Sequence, residues 1–317
     1  DYTGVMTETT ITPGAFLDLA AAAEPGWSEP FGGPRGVALL APALQEAALA
    51  EIGSISRVRS MAIRELLNTH SLAEVAKVLS RYVDLIAVRA FPKFIDWSQD
   101  RQDRVLRGFA QHATVPVINL ETITHPCQEL AHVLALQEHF GSADLRGKKY
   151  VLTWTYHPKP LNTAVANSAL TIATRMGMDV TLLCPTPEYL LDERYMGWAA
   201  QNVAESGGSF QVSHDIESAY RGADVVYAKS WGALPYFGNW EPEKPIRDQY
   251  KHFIVDEAKM ALTNNGVFSH CLPLRRNVKA TDAVMDSPNC IAIEEAENRL
   301  HAQKALMEYL VLGRIEN

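Results

Sequence analysis

The chain has 317 residues, of which 47% are hydrophobic and 21% charged, and its formal net charge is −8. This length is typical of two domains, and the composition is ordinary for a globular protein with a hydrophobic core. The negative charge argues against nucleic acid or an anionic membrane as the main partner. No apolar run approaches the roughly 18 residues of a membrane-spanning helix, and no basic, apolar leader is evident.

The cysteines and histidines argue against a disulfide scaffold and against a metal site. The four cysteines, at positions 127, 184, 271 and 290, form no CxxC pair. Reduced thiols and a cytoplasmic location are therefore expected. The ten histidines include no HExxH motif, and no cofactor or metal is expected.

The first half of the chain begins with a stretch rich in Gly, Pro and Ala, and clear periodicity starts only near residue 70. The predicted elements there are a strand at 36–40, helices at 41–51, 61–67, 70–82 and 101–111, and strands at 83–88 and 115–119. Both later strands are nearly continuous apolar runs, which are typical of buried parallel strands.

The stretch from Glu121 to Gln128 follows the strand at 115–119 and opens a helix. Thr124 is the predicted N-cap, Pro126 falls in the first turn, and Gly141 is the predicted left-handed C-cap. A helix N-terminus at the end of a strand is a common anion site, to which His125 and Gln128 would add donors. A capped helix with a histidine that only packs is the alternative.

The second half alternates apolar runs with helical patterns. Strands are predicted at 150–155, 179–183, 209–212, 224–228 and 266–271, and helices at 164–176, 187–205, 216–221 and 294–312. This alternation predicts an α/β fold of two doubly wound parallel-sheet, Rossmann-like domains. The predicted domains are 1–123, completed by a C-terminal helix at 294–317, and 124–293, with the helix at 124 joining them. No GxGxxG follows the strand at 150–155, which argues against a nicotinamide dinucleotide.

Polar residues stand at the predicted ends of several strands, where α/β sheets place their sites. Arg89, Glu121 and Lys229 each follow a predicted strand, the motif that begins at His270 ends the last one, and Arg275 and Arg276 come just beyond. Each residue alone is more often a solvated loop residue. Several cations, one carboxylate and a helix N-terminus together favour small-molecule substrates: an anionic, phosphorylated one and an amine.

Three motifs resemble the carbamoyltransferase family: His125-Pro-Cys-Gln128, Lys229-Ser-Trp-Gly232 and His270-Cys-Leu-Pro273. Arg275-Arg-Asn-Val-Lys279 and Trp154-Thr-Tyr-His-Pro158 are similar to the branch of that family that uses N-acetylornithine. The resemblance runs from about residue 73 to about residue 310. It implies transfer of a carbamoyl group from carbamoyl phosphate to the δ-amine of N-acetyl-L-ornithine in arginine biosynthesis, by a homotrimer.

The resemblance also implies a role for each matching residue. The carbamoyl phosphate ligands would be Arg89, His125, Pro126, Cys127, Gln128, Cys271, Leu272 and Arg299, with Arg89 and His125 catalytic. The acceptor ligands would be Glu121, Lys229 and Leu272. Lys279 matches a lysine that this family carries as a carboxylated side chain, which needs carbon dioxide and a neutral amine.

The first 70 residues depart from the family pattern. A Ser-x-Arg-Thr-Arg-Thr phosphate loop is expected there and is absent, and the nearest stretch, Ser56-Arg-Val-Arg-Ser60, offers Arg57 and Arg59 as weak candidates. Two alternatives therefore stay open beside the main prediction. One is a non-catalytic or impaired relative that lacks the phosphate loop, and the other is an enzyme that prefers N-succinylornithine.

Overall fold

The computed structural model describes residues 71–312, and its elements are numbered over that range. The elements predicted between residues 36 and 67, together with Arg57 and Arg59, lie outside the described residues. The described residues fall into two compact units. The first holds residues 71–89 and Val105–Ile118, and the second holds Ala90–Arg104 and residues 119–312.

The elements alternate along most of the described chain. The helices are α1 (Leu72–Leu79), α2 (Trp97–Asp100), α3 (Arg104–His112), α4 (Pro126–Phe140), α5 (Ala164–Arg175), α6 (Glu193–Ser206), α7 (Ile216–Tyr220), α8 (Glu243–Arg247), α9 (Glu257–Met260), α10 (Asp282–Met285) and α11 (Ala292–Leu312). The strands are β1 (Ile86–Arg89), β2 (Val117–Glu121), β3 (Lys149–Trp154), β4 (Asp179–Leu183), β5 (Ser209–Ser213), β6 (Val225–Lys229) and β7 (Val267–Ser269). Short 3-10 turns occur at Pro187–Tyr189, Leu234–Tyr236 and Asp248–Phe253.

The first unit is built on α1, β1 and α3. Helix α1 begins with a capping box, in which Ser71 and Glu74 each satisfy the other's backbone N–H, and it buries Val75 and Ala76. Strands β1 and β2 form a two-stranded sheet. Arg89 is the last residue of β1 and is exposed, rather than the residue after the strand as predicted.

The second unit contains a five-stranded parallel sheet in the order β5-β4-β3-β6-β7. The chain runs outward from β3 to β5 and then returns to place β6 on the other side of β3. This reversal creates a topological switch point, and right-handed crossovers then place helices on both faces of the sheet. The predicted α/β fold with parallel strands is therefore confirmed for this unit.

Burial explains which strands lie inside the sheet. Strands β4 and β6 are almost wholly buried and β3 is buried beyond its first residue, whereas β5, at the edge, is largely exposed. At the switch point, Trp154 at the end of β3 is in register with Lys229 at the end of β6. Ligands of such sheets bind beyond the carboxyl ends of these two strands.

Helix α4 begins at Pro126, and its N-cap is His125 rather than the predicted Thr124. The Thr124 hydroxyl accepts a hydrogen bond from Asn119 Nδ2 at 2.8 Å, so this side chain is used by the preceding strand. Pro126 occupies the first helical position, where the missing N–H costs little. Gly141 ends the helix with a φ of 60°, as predicted.

Other differences from the predicted boundaries have local causes. The helix predicted at 187–205 is split, because Leu190 leaves the 3-10 turn with an extended backbone and Asp192 caps a new helix. Strand β7 ends at Ser269, so His270 and Cys271 belong to the loop that follows it. Helices α8, α9 and α10 have only four or five residues and were not predicted.

A buried ion pair in α8 holds the loop that follows β3. Arg247 donates to Glu243, and both side chains are almost fully buried. Glu243 Oε1 also accepts from Tyr189 Oη at 3.0 Å, and Arg247 Nη2 donates to the Pro158 carbonyl at 3.1 Å. The pair therefore ties α8 to the loop at the carboxyl end of the central strand.

Replacing Glu243 with alanine should lower the free energy of unfolding by about 3–5 kcal/mol, because it leaves the Arg247 guanidinium buried without its counter-charge. The measurement is urea-induced unfolding followed by tryptophan fluorescence. Glu217→Ala is the matched control, since Glu217 pairs with Arg221 at the same spacing but in solvent. That variant should leave the unfolding midpoint nearly unchanged. Equal losses in the two variants would contradict this role of the buried pair.

Candidate active site

The residues just before α4 are held by polar side chains of the chain that follows β3. Asn162 Nδ2 donates to the Thr122 carbonyl at 2.8 Å. The His125 N–H donates to Ser168 Oγ, on α5, at 2.7 Å. These bonds fix the backbone at the entry to α4, and they fix His125 in particular.

His125 and Glu121 form the first pair of predicted site residues. His125 is 5% exposed, and its Nε2 lies 3.7 Å from Glu121 Oε2. Glu121 is the last residue of β2, not the first residue after the strand as predicted, and its side chain is mostly buried. A carboxylate and an imidazole thus meet at the carboxyl end of a strand.

Gln128 and Arg299 form a second pair, which joins α4 to the C-terminal helix α11. Arg299 Nη1 donates to Gln128 Oε1 at 2.5 Å. The other end of the Gln128 amide donates to Glu295, which lies one turn before Arg299 on α11. Among the described residues, Arg299 Nε is buried without a hydrogen-bond partner. The guanidinium therefore has donor capacity left for an anion.

Glu295 is the acceptor at the centre of a cluster that we call the Glu295 cluster, formed by Glu295, Gln128, His132, Tyr227 and Ser269. Its Oε1 accepts from Gln128 Nε2 and from Tyr227 Oη, the latter at 3.2 Å. Its Oε2 accepts from His132 Nδ1 at 2.8 Å and from Ser269 Oγ. Burial raises the pKa of Glu295, but the His132 charge and the hydrogen bonds from His132, Ser269 and Gln128 outweigh it and lower the pKa overall.

Glu129, the next residue after Gln128, is a second buried acid with the opposite behaviour. It is 1% exposed, and neither carboxyl oxygen has a hydrogen-bond partner among the described residues. Burial raises its pKa well above the usual value, and Glu295 and Cys271 raise it further, whereas Lys229 and Arg299 lower it less. Burial without hydrogen-bond donors thus favours the protonated form of Glu129, whereas the donors around Glu295 favour its ionised form.

Lys229 and Cys271 lie together beyond the carboxyl ends of β6 and β7. Lys229 is the last residue of β6 rather than the residue after it, and its Nζ donates to Cys271 Sγ at 3.4 Å. Tyr227, two residues before Lys229, is in register with Ser269, two residues before Cys271. The parallel pairing of the two strands therefore brings the lysine to the His270–Pro273 motif.

His270 connects this motif to Lys279. The Leu272 N–H donates to His270 Nδ1 at 2.9 Å, and His270 Nε2 lies 3.3 Å from Lys279 Nζ. A neutral imidazole has a single N–H, so the bond from Leu272 places that hydrogen on Nε2. A lysine amine can accept this hydrogen only when it is neutral, because an ammonium has no lone pair. The geometry therefore favours a neutral Lys279.

Burial and neighbouring charges agree with that assignment. Burial lowers the pKa of Lys279 to about 7, and the Lys229 charge lowers it too, whereas Cys271 raises it and Arg275 lowers it slightly. Burial also holds the pKa of His270 well below its usual value, assisted by Lys279 and Lys229. A lysine amine that is substantially neutral at pH 7 can act as a nucleophile.

The structure brings most of the predicted site residues into the second unit. These are Glu121, His125, Pro126, Cys127, Gln128, Lys229, Cys271, Leu272, Lys279 and Arg299. Direct contacts join them as three groups: Glu121 with His125, Gln128 with Arg299, and Lys229 with Cys271. Lys279 and Leu272 are linked through His270. Arg89 lies in the first unit.

Two further predicted residues have clear local surroundings. Cys127 is buried, its thiol donates to the Asn119 carbonyl at 3.4 Å, and burial raises its pKa to about 11, although Arg299 lowers it. It therefore packs as a protonated thiol. Arg276 donates to Asp282 and Asp286 on the surface, so it is engaged outside the site.

Several residues of this arrangement were not predicted, namely Glu129, His132, Ser168, Tyr227, Ser269 and Glu295. Glu295 belongs to a Glu-Glu pair at the start of a helix, which in a sequence is indistinguishable from a solvated surface. Over residues 71–312, no group of three His, Cys, Asp or Glu side chains is placed to hold a metal ion. In the same range, no helix is both long and apolar enough to cross a membrane.

Two family models match this chain. The model for the Asp/Orn binding domain of aspartate/ornithine carbamoyltransferase matches residues 154–310, and the model for the carbamoyl-P binding domain of the same family matches residues 46–138. The second match begins earlier than residue 73, where the resemblance was expected to begin. It therefore includes residues that lie outside the described range.

Curated relatives of this chain are carbamoyltransferases. An N-acetylornithine carbamoyltransferase of Xanthomonas campestris pv. campestris is 87% identical over 240 residues, which cover 76% of this chain and 71% of that protein. One of Xylella fastidiosa is 81% identical over 239 residues, covering 75% and 71%. An anabolic ornithine carbamoyltransferase of Pyrococcus furiosus is 38% identical over 275 residues, covering 86% and 79%.

Solved structures agree with these relatives. Acetylornithine transcarbamylase complexed with acetylcitrulline is 84% identical with a TM-score of 0.75, and the match covers 78% of this chain and 72% of that one. A point mutant of N-acetyl-L-ornithine transcarbamylase complexed with carbamyl phosphate and N-succinyl-L-norvaline is 87% identical with a TM-score of 0.75, covering 76% and 72%. This chain belongs to the aspartate/ornithine carbamoyltransferase family.

Proposed function

We infer that this chain is an enzyme that transfers the carbamoyl group of carbamoyl phosphate to the δ-amine of N-acetyl-L-ornithine. The products are N-acetyl-L-citrulline and phosphate, and the reaction belongs to arginine biosynthesis. The observation that carries the inference is the 87% identity to an N-acetylornithine carbamoyltransferase over 76% of the chain. The arrangement of His125, Gln128, Arg299 and the His270–Pro273 motif gives it a physical basis.

Carbamoyl phosphate would bind through cationic, imidazole, amide and backbone donors. The proposed ligands are Arg89, His125, Pro126, Cys127, Gln128, Cys271, Leu272 and Arg299. Arg299 would donate to the phosphate through the guanidinium nitrogens that Gln128 leaves unused. Gln128 Oε1 accepts one hydrogen bond from Arg299, and its second lone pair can accept from the carbamoyl amide.

The acceptor would bind through groups of opposite charge. Lys229 would pair with the carboxylate of N-acetylornithine, and Glu121 would bind its δ-amine end, with the Leu272 backbone beside it. Because the α-amine is acetylated, only the δ-amine has a lone pair free to react. The acetyl group thus determines which nitrogen is carbamoylated.

The chemical step is an acyl transfer. The lone pair of the neutral δ-amine forms a bond to the carbonyl carbon, and the π electrons of the carbonyl move to its oxygen. We assign Arg89 and His125 as donors to that oxygen. The electron pair on that oxygen then re-forms the carbonyl, and the C–O bond to the phosphate breaks. The phosphate leaves with the electron pair of that bond and takes up the proton that the nitrogen loses. Holding the two substrates in line supplies much of the rate.

Lys279 would carry a carbamate in the working enzyme. Its neutral amine would attack carbon dioxide to form an N–C bond and then release a proton. The contacts that join the Leu272 N–H to His270 and His270 to the Lys279 amine support this, because they favour the neutral amine. No other cofactor is proposed. The carbamate would accept hydrogen bonds from the acceptor's amide or from a water beside it.

The organisation of the whole enzyme is also a proposal. We assign residues 1–123 and the C-terminal helix to carbamoyl phosphate binding and residues 124–293 to the acceptor, which the match of the carbamoyl-P model to residues 46–138 supports. A homotrimer in the cytoplasm is proposed from the family resemblance and the reduced thiols. Light scattering of the purified protein tests the trimer directly.

N-succinyl-L-ornithine is the second candidate acceptor. A point mutant of a relative is solved with N-succinyl-L-norvaline and carbamyl phosphate, so a single substitution in that protein accompanies a succinylated ligand. The family resemblance implies that the residue separating the two acceptors falls near Thr69, which lies outside the described residues.

A product assay with three acceptors tests the proposed function. The protein is incubated with carbamoyl phosphate and L-ornithine, N-acetyl-L-ornithine or N-succinyl-L-ornithine, and the product is identified by mass spectrometry. N-acetylcitrulline is the expected main product. Turnover with the succinylated acceptor alone would support the second candidate. Absence of any product, with carbamoyl phosphate binding retained in calorimetry, would instead support the non-catalytic relative.

A further inference from the structure

Glu295 is a fully buried carboxylate whose oxygens are saturated with donors. Each oxygen accepts two hydrogen bonds, from Gln128 and Tyr227 on one side and from His132 and Ser269 on the other. A carboxylate has about four acceptor positions, so this one is fully used by the protein. It is therefore unavailable to a substrate, and its effect on the site must act through its four partners.

These partners belong to three elements, each of which also presents a proposed substrate ligand. Helix α4 presents Gln128 itself. Strand β6 ends two residues after Tyr227, at Lys229, and strand β7 leads from Ser269 to Cys271. Because Glu295 is on α11, a single side chain fixes the mutual register of four elements at the carboxyl edge of the sheet.

Gln128 links the Glu295 cluster to the guanidinium of Arg299. The amide nitrogen of Gln128 donates to Glu295, which leaves Oε1 turned towards Arg299 Nη1 at 2.5 Å. If the amide were reversed, its NH₂ would face the guanidinium, where two donors would oppose each other. Glu295 therefore sets the orientation of the Gln128 amide, and that orientation fixes Arg299.

We propose that Glu295 is a positioning residue for carbamoyl phosphate binding, acting through Gln128 on Arg299. This inference rests on the proposed function for the identity of the anion. The role needs an ionised Glu295, because a protonated carboxyl would place its own hydrogen against one of four donors. Glu129, on α4, accepts no hydrogen bond from the described residues, and burial favours its protonated form.

The two buried acids provide a matched test, since the same substitution should raise a KM value at Glu295 and leave both KM values unchanged at Glu129. Glu295→Gln replaces an acceptor oxygen with an NH₂ that faces donors. We expect the KM for carbamoyl phosphate to rise about 10-fold to 100-fold, the range of a lost charged hydrogen bond, with the KM for the acceptor within about twofold. Glu129→Gln makes the same change in a side chain whose oxygens accept no hydrogen bond from the described residues, and both KM values should stay within about twofold.

The split between the two KM values separates positioning from simple loss of stability. A merely destabilised protein would lose active fraction, which lowers kcat and leaves both KM values in place. Coupling is measured with Gln128→Ala alone and together with Glu295→Gln. If Glu295 acts through Gln128, the KM of the double variant for carbamoyl phosphate should not exceed the higher of the two single-variant values. Additive losses would overturn the proposed path.

Wild-type turnover and carbamoyl phosphate binding are measured first, so that failure of the proposed function is seen before any variant is compared. Equal KM values for Glu295→Gln and wild type would overturn the positioning role. If Glu295→Gln does not fold, Ser269→Ala removes one donor and keeps the carboxylate. It should raise the carbamoyl phosphate KM several-fold with the acceptor KM unchanged, and an unchanged carbamoyl phosphate KM would overturn the proposal.

Discussion

Replacing His125 with alanine should lower kcat by about 10²-fold to 10³-fold, the loss that one missing transition-state donor typically causes. The proposed role of His125 is to donate to the carbonyl oxygen, on which charge develops as the amine attacks. The side chain is buried, and its backbone N–H is bonded to Ser168 Oγ, so the imidazole is held before substrate arrives. The KM values should change much less than kcat.

Steady-state kinetics with each substrate varied in turn measure this effect. His139→Ala is the control on the same helix, because His139 is exposed near the other end of α4. It should behave like wild type. If His125→Ala kept kcat and only weakened carbamoyl phosphate binding, His125 would be a ground-state ligand and not a catalytic donor.

The regular parts of the fold were predictable because they follow local patterns. Strand β4 has the predicted bounds, Asp179–Leu183, since it lies between Gly177 and Pro185, two residues that interrupt regular structure. Helix α4 ends where predicted, because Gly141 adopts the left-handed conformation that stops a helix. The N-cap of α4 was misplaced by one residue, because threonine is a favoured N-cap and histidine is not, yet the Thr124 hydroxyl is bonded to Asn119 instead.

The contacts that assemble the site were not predictable in the same way. Gln128 and Glu295 are 167 positions apart, and Gln128 and Arg299 are 171 apart. Nothing in the periodicity of α11 distinguishes a buried Glu295 from its exposed neighbour Glu294. The motif resemblance implied Gln128 and Arg299 as ligands, but the acid that orients the Gln128 amide became visible only in the packing of the two helices.

Short elements were missed for a different reason. Helices α8, α9 and α10 span four or five residues, which is too short for a 3.6-residue period to be recognised. One of them, α8, contains the buried Glu243–Arg247 pair that holds the Pro158 carbonyl. The hydrogen bond that holds the loop after β3 therefore comes from a helix that the sequence pattern did not predict.

Replacing Lys279 with arginine should abolish most of the activity, whereas replacing it with glutamate should retain most of it. The proposed carbamate is a negative group at the end of a long side chain, and glutamate imitates its charge better than any uncharged residue. Arginine keeps a positive charge that cannot be removed at working pH, so it cannot form a carbamate and can only donate. It would also place a second cation near Lys229, whose charge already lowers the pKa of Lys279.

The test varies carbon dioxide and pH with wild type and Lys279→Glu side by side. Burial and nearby charge lower the pKa of the Lys279 amine to about 7, so the neutral, reactive form dominates above that pH and disappears below it. Wild-type activity in buffer free of carbon dioxide should therefore decline, most steeply below pH 7, and added bicarbonate should restore it. The glutamate variant needs no carbon dioxide and should not respond. If Lys279→Arg is as active as wild type, Lys279 acts as an ordinary cation and the carbamate is excluded.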